Sequence, residues 1–288
     1  MPESPEVETL RLELESLLLG QKIKAVQVND QKTIKPLSLR LFRKSIIGKK
    51  ITKLNRRAKI LIIELGDNNY LLVHLKMTGQ LIFKKNQNQF IAGGHPEPKG
   101  LLDLPNKFTR LIFTFSNNQK LFFNDSRRFG WVRYVDADDK IKNLNHLGLE
   151  PLTSDFNTRW LRQQFKKTPR KKVKVFLLDQ TKIAGLGNIY VDESLFIAGI
   201  RPTRSIGQIT KNETEQLVTA IKKILRQSIK KGGTSFRDFK RANGQAGNFI
   251  SCLKVYGQDK KPCRVCGQMI KKIKLAGRGT HFCPHCQR

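Results

Sequence analysis

The chain has 288 residues, with 55 Lys+Arg against 23 Asp+Glu and a formal net charge of +32. At 39% hydrophobic, with 17 Phe, it carries enough apolar side chain for two domains, which excludes a disordered basic tail. A folded chain this basic is expected to meet a polyanion, and no run of 18 apolar residues is present to cross a membrane.

The opening residues lack the basic flank and apolar stretch of a signal peptide, so the expected compartment is the reducing cytoplasm, at the nucleoid. The first predicted element is a helix. Ser4 is placed to cap it, Pro5 suits its first turn, and Glu6 and Glu8 complement its dipole. Val7, Leu10, Leu14, Leu17 and Leu18 then share one face until Gly20. Short β-rich runs follow at 22–28, 51–55, 59–65, 70–75, 80–83, 110–115, 120–124 and 130–134. Turn residues such as Gly66-Asp67-Asn68-Asn69 separate them, as in an antiparallel sandwich. Residues 92–106, rich in Gly and Pro, read as a long loop.

After Asp136-Ala137-Asp138-Asp139 the pattern turns helical, with candidates at 156–165, 173–178, 188–198 and 210–230. Leu217, Ile221, Ile224 and Leu225 lie on one face of the last. The predicted fold class is α+β, in four parts: a β-sandwich domain at 1–136, a hinge at 137–150, a helical domain at 151–252 and a metal finger at 253–288. A ligand is expected between the β-rich and helical halves. Gly185-Leu186-Gly187-Asn188 leads into a helix start, where free N–H groups suit a phosphate, although the same pattern serves as a plain connector.

Four of the five cysteines fall in the last 26 residues, as Cys263-x2-Cys266 and Cys283-x2-Cys286 with 16 residues between. Two such pairs close a tetrahedral zinc site and leave no open position for water, so one structural Zn2+ is expected. His281 and His285 stand as competing ligands, and Cys252 as a small buried hydrophobe. The segment between the pairs reads as two strands, 269–275 and 279–283, turning at Ala276-Gly277. Nine Lys/Arg and one acid lie between 254 and 288, a balance that favours phosphate contact, with Arg278 between Gly277 and Gly279 as its foremost candidate.

Pro2 is the remaining feature. Trimming of Met1 exposes a secondary amine that titrates at roughly 7.7–8, far below lysine, and such an amine condenses with an aldehyde carbon to an iminium. Glu3 beside it is suited to moving protons. By position alone, Pro2 reads as an ordinary helix-start proline.

The run Met1-Pro2-Glu3-Ser4-Pro5-Glu6-Val7-Glu8-Thr9 resembles the opening of formamidopyrimidine-DNA glycosylases, bacterial repair enzymes for oxidised purines. Further blocks match in order: Arg57-Ala58-Lys59, His74-Leu75-Lys76-Met77-Thr78-Gly79, Asp125-Ser126-Arg127-Arg128-Phe129-Gly130, Gly185-Leu186-Gly187-Asn188-Ile189-Tyr190, Val255-Tyr256-Gly257 and the four-cysteine finger. The resemblance spans the whole chain. Three departures are visible: Ser4 where the family has an apolar residue, Ser126 where it has proline, and a longer stretch at 86–108.

The resemblance implies an N-terminal helix with an antiparallel β-sandwich, a helix-two-turn-helix domain and a C-terminal β-hairpin zinc finger. It implies excision of 8-oxoguanine and formamidopyrimidines through a Schiff base on Pro2, followed by β- and δ-elimination at the abasic sugar. Glu3 then protonates the sugar ring oxygen, Lys59 serves base recognition or proton transfer, and Glu6 is an active-site carboxylate. Met77, Arg127 and Phe129 match side chains that fill the space left by an extruded base. His74, Asn188, Tyr256 and Arg278 match phosphate contacts. Gly232-Gly233 and residues 234–248 resemble a mobile loop over that base. The implied partner is double-stranded DNA with oxidised bases or abasic sites, bound by a monomer without membrane or small-molecule cofactor. Two rivals are an endonuclease VIII-type glycosylase for oxidised pyrimidines and a non-catalytic zinc-ribbon nucleic-acid-binding protein; the latter gives Pro2-Glu3 and Lys59 no role.

Overall fold

The computed structural model describes residues 1–84, 90–94, 104–234 and 248–288. Helix α1 (Ser4–Leu18) opens the chain, and its cap is Glu3, not the expected Ser4, which is already helical and buried. Glu3 and Glu6 close a capping box, with the Glu3 backbone N–H donating to Glu6 Oε2 at 3.0 Å. A cap at Ser4 would have Val7 at the third position, which has no atom to return the bond.

Strand β1 (Ile23–Val28) and a short helix α2 (Leu39–Ile46) precede the hairpin strands β2 (Lys53–Arg57), β3 (Ile60–Glu64) and β4 (Tyr70–His74). Then come β5 (Gly79–Lys84), β6 (Phe90–Gly94), β7 (Thr109–Phe115), β8 (Lys120–Asp125) and β9 (Trp131–Val135). They form two antiparallel sheets, ordered β1-β7-β8-β5-β6 and β2-β3-β4-β9. One core joins Val7, Leu10 and Leu14 of α1 to Leu61, Ile63, Phe83, Phe113, Phe115 and Phe123 from both sheets. Strand β6 lies partly in the stretch read as loop, and α3 (Ala137–Leu144) occupies the segment read as hinge.

The helical part holds α4 (Thr158–Lys167), α5 (Val173–Leu177), α6 (Asn188–Ile197) and α7 (Lys211–Lys230), close to the expected runs. The chain ends in the hairpin β10 (Lys271–Leu275) and β11 (Arg278–Phe282), with Ala276 and Gly277 both at positive φ in its turn. By contact the chain divides into two units, Met1–Asn145 with Lys231–Asn248, and His146–Lys230 with Phe249–Arg288. Residues 231–234, which follow α7 directly, thus go with the sandwich. Among the described residues, no helix is long and apolar enough to cross a membrane.

Candidate catalytic and DNA-binding site

In the first unit, the start of α1 is the centre of the arrangement. Pro2 and Glu3 are buried, and Met1 is exposed ahead of them. Glu6 ties down two things at once. Its Oε2 accepts from the Glu3 backbone, and its Oε1 accepts from the Thr234 backbone N–H at 2.7 Å and the Thr234 hydroxyl at 2.8 Å. Gly233, at φ +81°, makes that approach sterically feasible, because a Cβ there would lie 3.0 Å from Glu6 Oε1. The rest of the expected loop, 235–247, lies outside the described residues.

Lys59 is buried, just past Ala58, whose φ of 52° makes the turn from β2 to β3. Sequence reasoning gives no role to the brace beneath this turn. Arg56 donates from Nε to Glu8 Oε2 at 2.9 Å and from Nη1 to the Ala58 carbonyl at 2.8 Å, linking α1 to the turn that carries Lys59. Burial acts to raise the Glu8 carboxyl, but the Arg11 and Arg56 guanidinium groups outweigh it and hold it below the usual range. The Glu-x-x-Arg spacing of Glu8 and Arg11 is a readable signal for this.

His74 ends β4, its ring 5.6 Å from that of Trp131 in β9. Burial, reinforced by the charges of Lys76, Lys59 and Arg133, brings its pKa down to about 3, so the ring is neutral at physiological pH. Its Nδ1 accepts from the Lys76 N–H at 2.9 Å, which leaves Nε2 carrying the hydrogen. A phosphate placed against His74 would therefore meet a dipole and not a charge. His74→Gln is expected to weaken DNA binding without changing the slope of log Kd against log salt, whereas Arg278→Ala lowers that slope by about one charge. Equal slopes for both variants would reject the neutral ring. The sign for stability follows from the same shift. Between about pH 6.5 and 3 the unfolded chain binds the proton that the native ring refuses, so this residue subtracts stability as pH falls through that window.

Met77 sits exposed on the turn between β4 and β5, and Arg127 and Phe129 on the turn between β8 and β9. The Arg127 guanidinium lies 5.0 Å from the Phe129 ring centre. Residue type alone would place Met77 and Phe129 in the core, yet they are 37% and 54% exposed in a protein with a large apolar interior.

In the second unit, α6 organises the remaining candidates. Asn188, its first residue, donates from Nδ2 to the Gly279 carbonyl at 2.9 Å, and the fully buried Lys174 donates to the same carbonyl at 3.0 Å. Lys174 also pairs with buried Asp192 at 2.6 Å, and Asp192 accepts the backbone N–H of His281 at 2.9 Å. Glu193 next to it accepts the backbone N–H groups of Lys254, Val255 and Tyr256 at 2.8–3.0 Å. Burial pushes the Glu193 carboxyl up while these donors pull it down. Two adjacent carboxylates of one helix thus fix the segment bearing Tyr256 and the strand beginning at Arg278. The Tyr256 ring meets His281 edge-on at 4.9 Å, and Arg278 projects exposed from the hairpin.

The Sγ atoms of Cys263, Cys266, Cys283 and Cys286 all lie within 4.8 Å of one another. Cys266–Cys283 is 3.5 Å and Cys263–Cys286 3.9 Å, bracketing the ~3.8 Å edge of a tetrahedron with ~2.3 Å zinc–sulfur bonds. His281 does not compete as a ligand, because its ring nitrogens face Asp192 and Asp259 at 3.3 and 3.4 Å. Burial acts to raise the Cys263 thiol, but the Val265 and Cys266 N–H groups bring it down to about 7; burial and the neighbouring sulfurs push Cys286 up. A divalent cation relieves that conflict by taking all four as thiolates. Cys252 is half-buried against the helical core.

Profiles of three domain families match the chain in order. They are the formamidopyrimidine-DNA glycosylase N-terminal domain at residues 1–132, its H2TH domain at 147–240, and a zinc finger found in FPG and IleRS at 260–288. The formamidopyrimidine-DNA glycosylase of Pelotomaculum thermopropionicum is 42% identical over 100% of this chain and 99% of the relative. The chain belongs to the formamidopyrimidine-DNA glycosylase family. The enzyme of that name from Carboxydothermus hydrogenoformans is 39% identical, with both chains fully covered. A point mutant of Lactococcus lactis FPG in complex with Fapy-dG-containing DNA superposes with a TM-score of 0.87 at 35% identity over the full length of both chains. Lactococcus lactis Fpg with abasic-site DNA gives 0.87 at 35% identity over 99% of each. As in the family, the finger holds one structural zinc. Cys263→Ser is expected to take zinc from one per chain to near none and to unpack the small cluster of Phe196, Val255 and Ile270 around it. Unchanged metal content would reject the ligand set.

Proposed function

We propose that the chain excises oxidised purines from double-stranded DNA and cleaves the resulting abasic site, with the trimmed Pro2 as nucleophile. The observation that carries this reading is the buried Pro2-Glu3 start of α1, held by the Glu6 carboxylate against Thr234. The Pro2 nitrogen attacks C1′ of the damaged nucleoside, the C1′–N bond breaks, and the base leaves with a proton. Glu3 protonates the ring oxygen as the sugar opens to the iminium. Successive β- and δ-elimination then remove the 3′ and 5′ phosphates, and hydrolysis frees Pro2. Lys59, held by the Arg56 brace, acts on the base or its proton. Met77, Arg127 and Phe129 fill the vacated stack, and His74 in one unit with Asn188, Tyr256 and Arg278 in the other take the phosphates. The protein works as a monomer where the chromosome lies.

Borohydride reduction during turnover tests the chemistry. One sugar remnant should be trapped per chain, and peptide mapping should place it on residue 2. An adduct on Lys59 would overturn the assignment. Excision of 8-oxoguanine opposite cytosine should exceed that of thymine glycol; the reverse preference would move the chain to the pyrimidine-directed class.

A further inference from the structure

Beneath the exposed Met77, Arg127 and Phe129 lies one carboxylate to which the reading above gives no task. Asp125, the last residue of β8, is 1% exposed. Its Oδ1 accepts from the Thr78 hydroxyl and from the Arg127 backbone N–H at 3.2 Å, and its Oδ2 accepts from the Gly130 N–H at 2.6 Å. The Thr78 hydroxyl in turn accepts from the Arg127 N–H at 3.1 Å. Asp125 is itself fixed by its backbone, which donates to the Phe108 carbonyl and accepts from Arg110 Nε at 2.8 Å. Gly130 is part of the device, since a Cβ there would lie 2.7 Å from Phe123 Cζ and 3.0 Å from Asp125 Oδ2.

Both turns contain a non-glycine residue at positive φ, Lys76 at 50° and Arg128 at 58°, a conformation that persists only where surrounding bonds impose it. The side chains they present are long or aromatic, and exposed, so burial does little to hold them in place. A buried carboxylate that bonds both turns supplies the missing constraint.

We propose that Asp125, through Thr78, is a positioning residue for base extrusion: it locks the Met77 turn and the Arg127–Phe129 turn together, so that the three side chains enter the duplex as one wedge. The proposal rests on the reading of those three as void-filling residues. Asp125→Asn keeps the shape but sets an NH2 group against an N–H donor, and Thr78→Val removes only the link between the turns. Each is expected to slow single-turnover excision of 8-oxoguanine paired with cytosine about tenfold, the worth of one buried hydrogen bond. Trapping at a preformed abasic site, where no base must be unstacked, should slow less than about threefold, and the two variants should be non-additive in the double mutant. A fluorescent base beside the lesion should report the same delay in extrusion. Equal slowing on both substrates, or no slowing of excision by Thr78→Val, overturns the proposal. The underlying reading is checked separately by Met77→Ala/Arg127→Ala/Phe129→Ala: if that variant extrudes the base at the normal rate, the void-filling assignment fails, whatever Asp125 does.

Discussion

Protein that retains Met1, or carries a tag ahead of it, should excise and nick at least about a thousandfold more slowly than the trimmed form while still binding abasic-site DNA. The reason is electronic. In the trimmed chain the Pro2 nitrogen is a secondary amine; α-amino groups ordinarily titrate at roughly 7.7–8, far below a lysine side chain, so the free base is accessible near neutrality. Acylated by Met1, the same nitrogen is an amide whose lone pair is shared with a carbonyl, and it has no proton to lose on forming an iminium. The rest of the arrangement is indifferent to the change, because the Glu3–Glu6 box and the Glu6–Thr234 bonds involve atoms downstream of that nitrogen. Mass spectrometry of the N-terminus, beside single-turnover rates for both forms, checks this. A blocked chain with normal nicking would remove Pro2 from the mechanism.

The second large effect is expected in the other unit. Asp192→Ala leaves the Lys174 ammonium fully buried without its 2.6 Å partner, and breaking a pair of this kind typically costs about 3–5 kcal/mol. The same substitution strips the acceptor from the His281 N–H, so the loss should fall on the strand that carries Arg278. Denaturant unfolding followed by zinc release should shift to markedly lower denaturant, and the variant should bind DNA more weakly. Lys174→Met/Asp192→Asn removes both charges and keeps an acceptor for His281, and it should recover much of the stability. Its DNA affinity should stay low, because the Gly279 carbonyl loses the Lys174 bond and keeps the one from Asn188. If Asp192→Ala matches the parent in stability, the pair carries no such weight.

What is legible in the sequence is local. The cysteine pairs, the Met1–Thr9 opening and the amphipathic α7 are short patterns whose chemistry depends on spacing alone. The features that resist reading depend on partners distant in sequence: Lys174 reaches Gly279 across 105 positions, and Thr78 reaches Asp125 across 47. Lysine, threonine and aspartate at such positions look like ordinary surface residues until the fold brings them together. Helix α3 escapes for another reason. It buries no residue, so it has no apolar stripe to find, and its stability comes from the Asp136 cap with Asp138 and Asp139 in the first turn. The cap of α1 falls one residue earlier than composition suggests, because serine is the commoner cap while here the reciprocal Glu3–Glu6 pair decides.

The return of residues 231–234 to the sandwich has a topological cost. The polypeptide leaves its first unit, builds most of the second, comes back, and departs again. Cutting it at residue 145 would therefore yield an N-terminal fragment whose Glu6 lacks both donors that Thr234 supplies from beyond the cut. Such a piece would hold Pro2 without its far-end latch, and adding residues 146–288 in trans should restore activity only if Thr234 reaches Glu6 again.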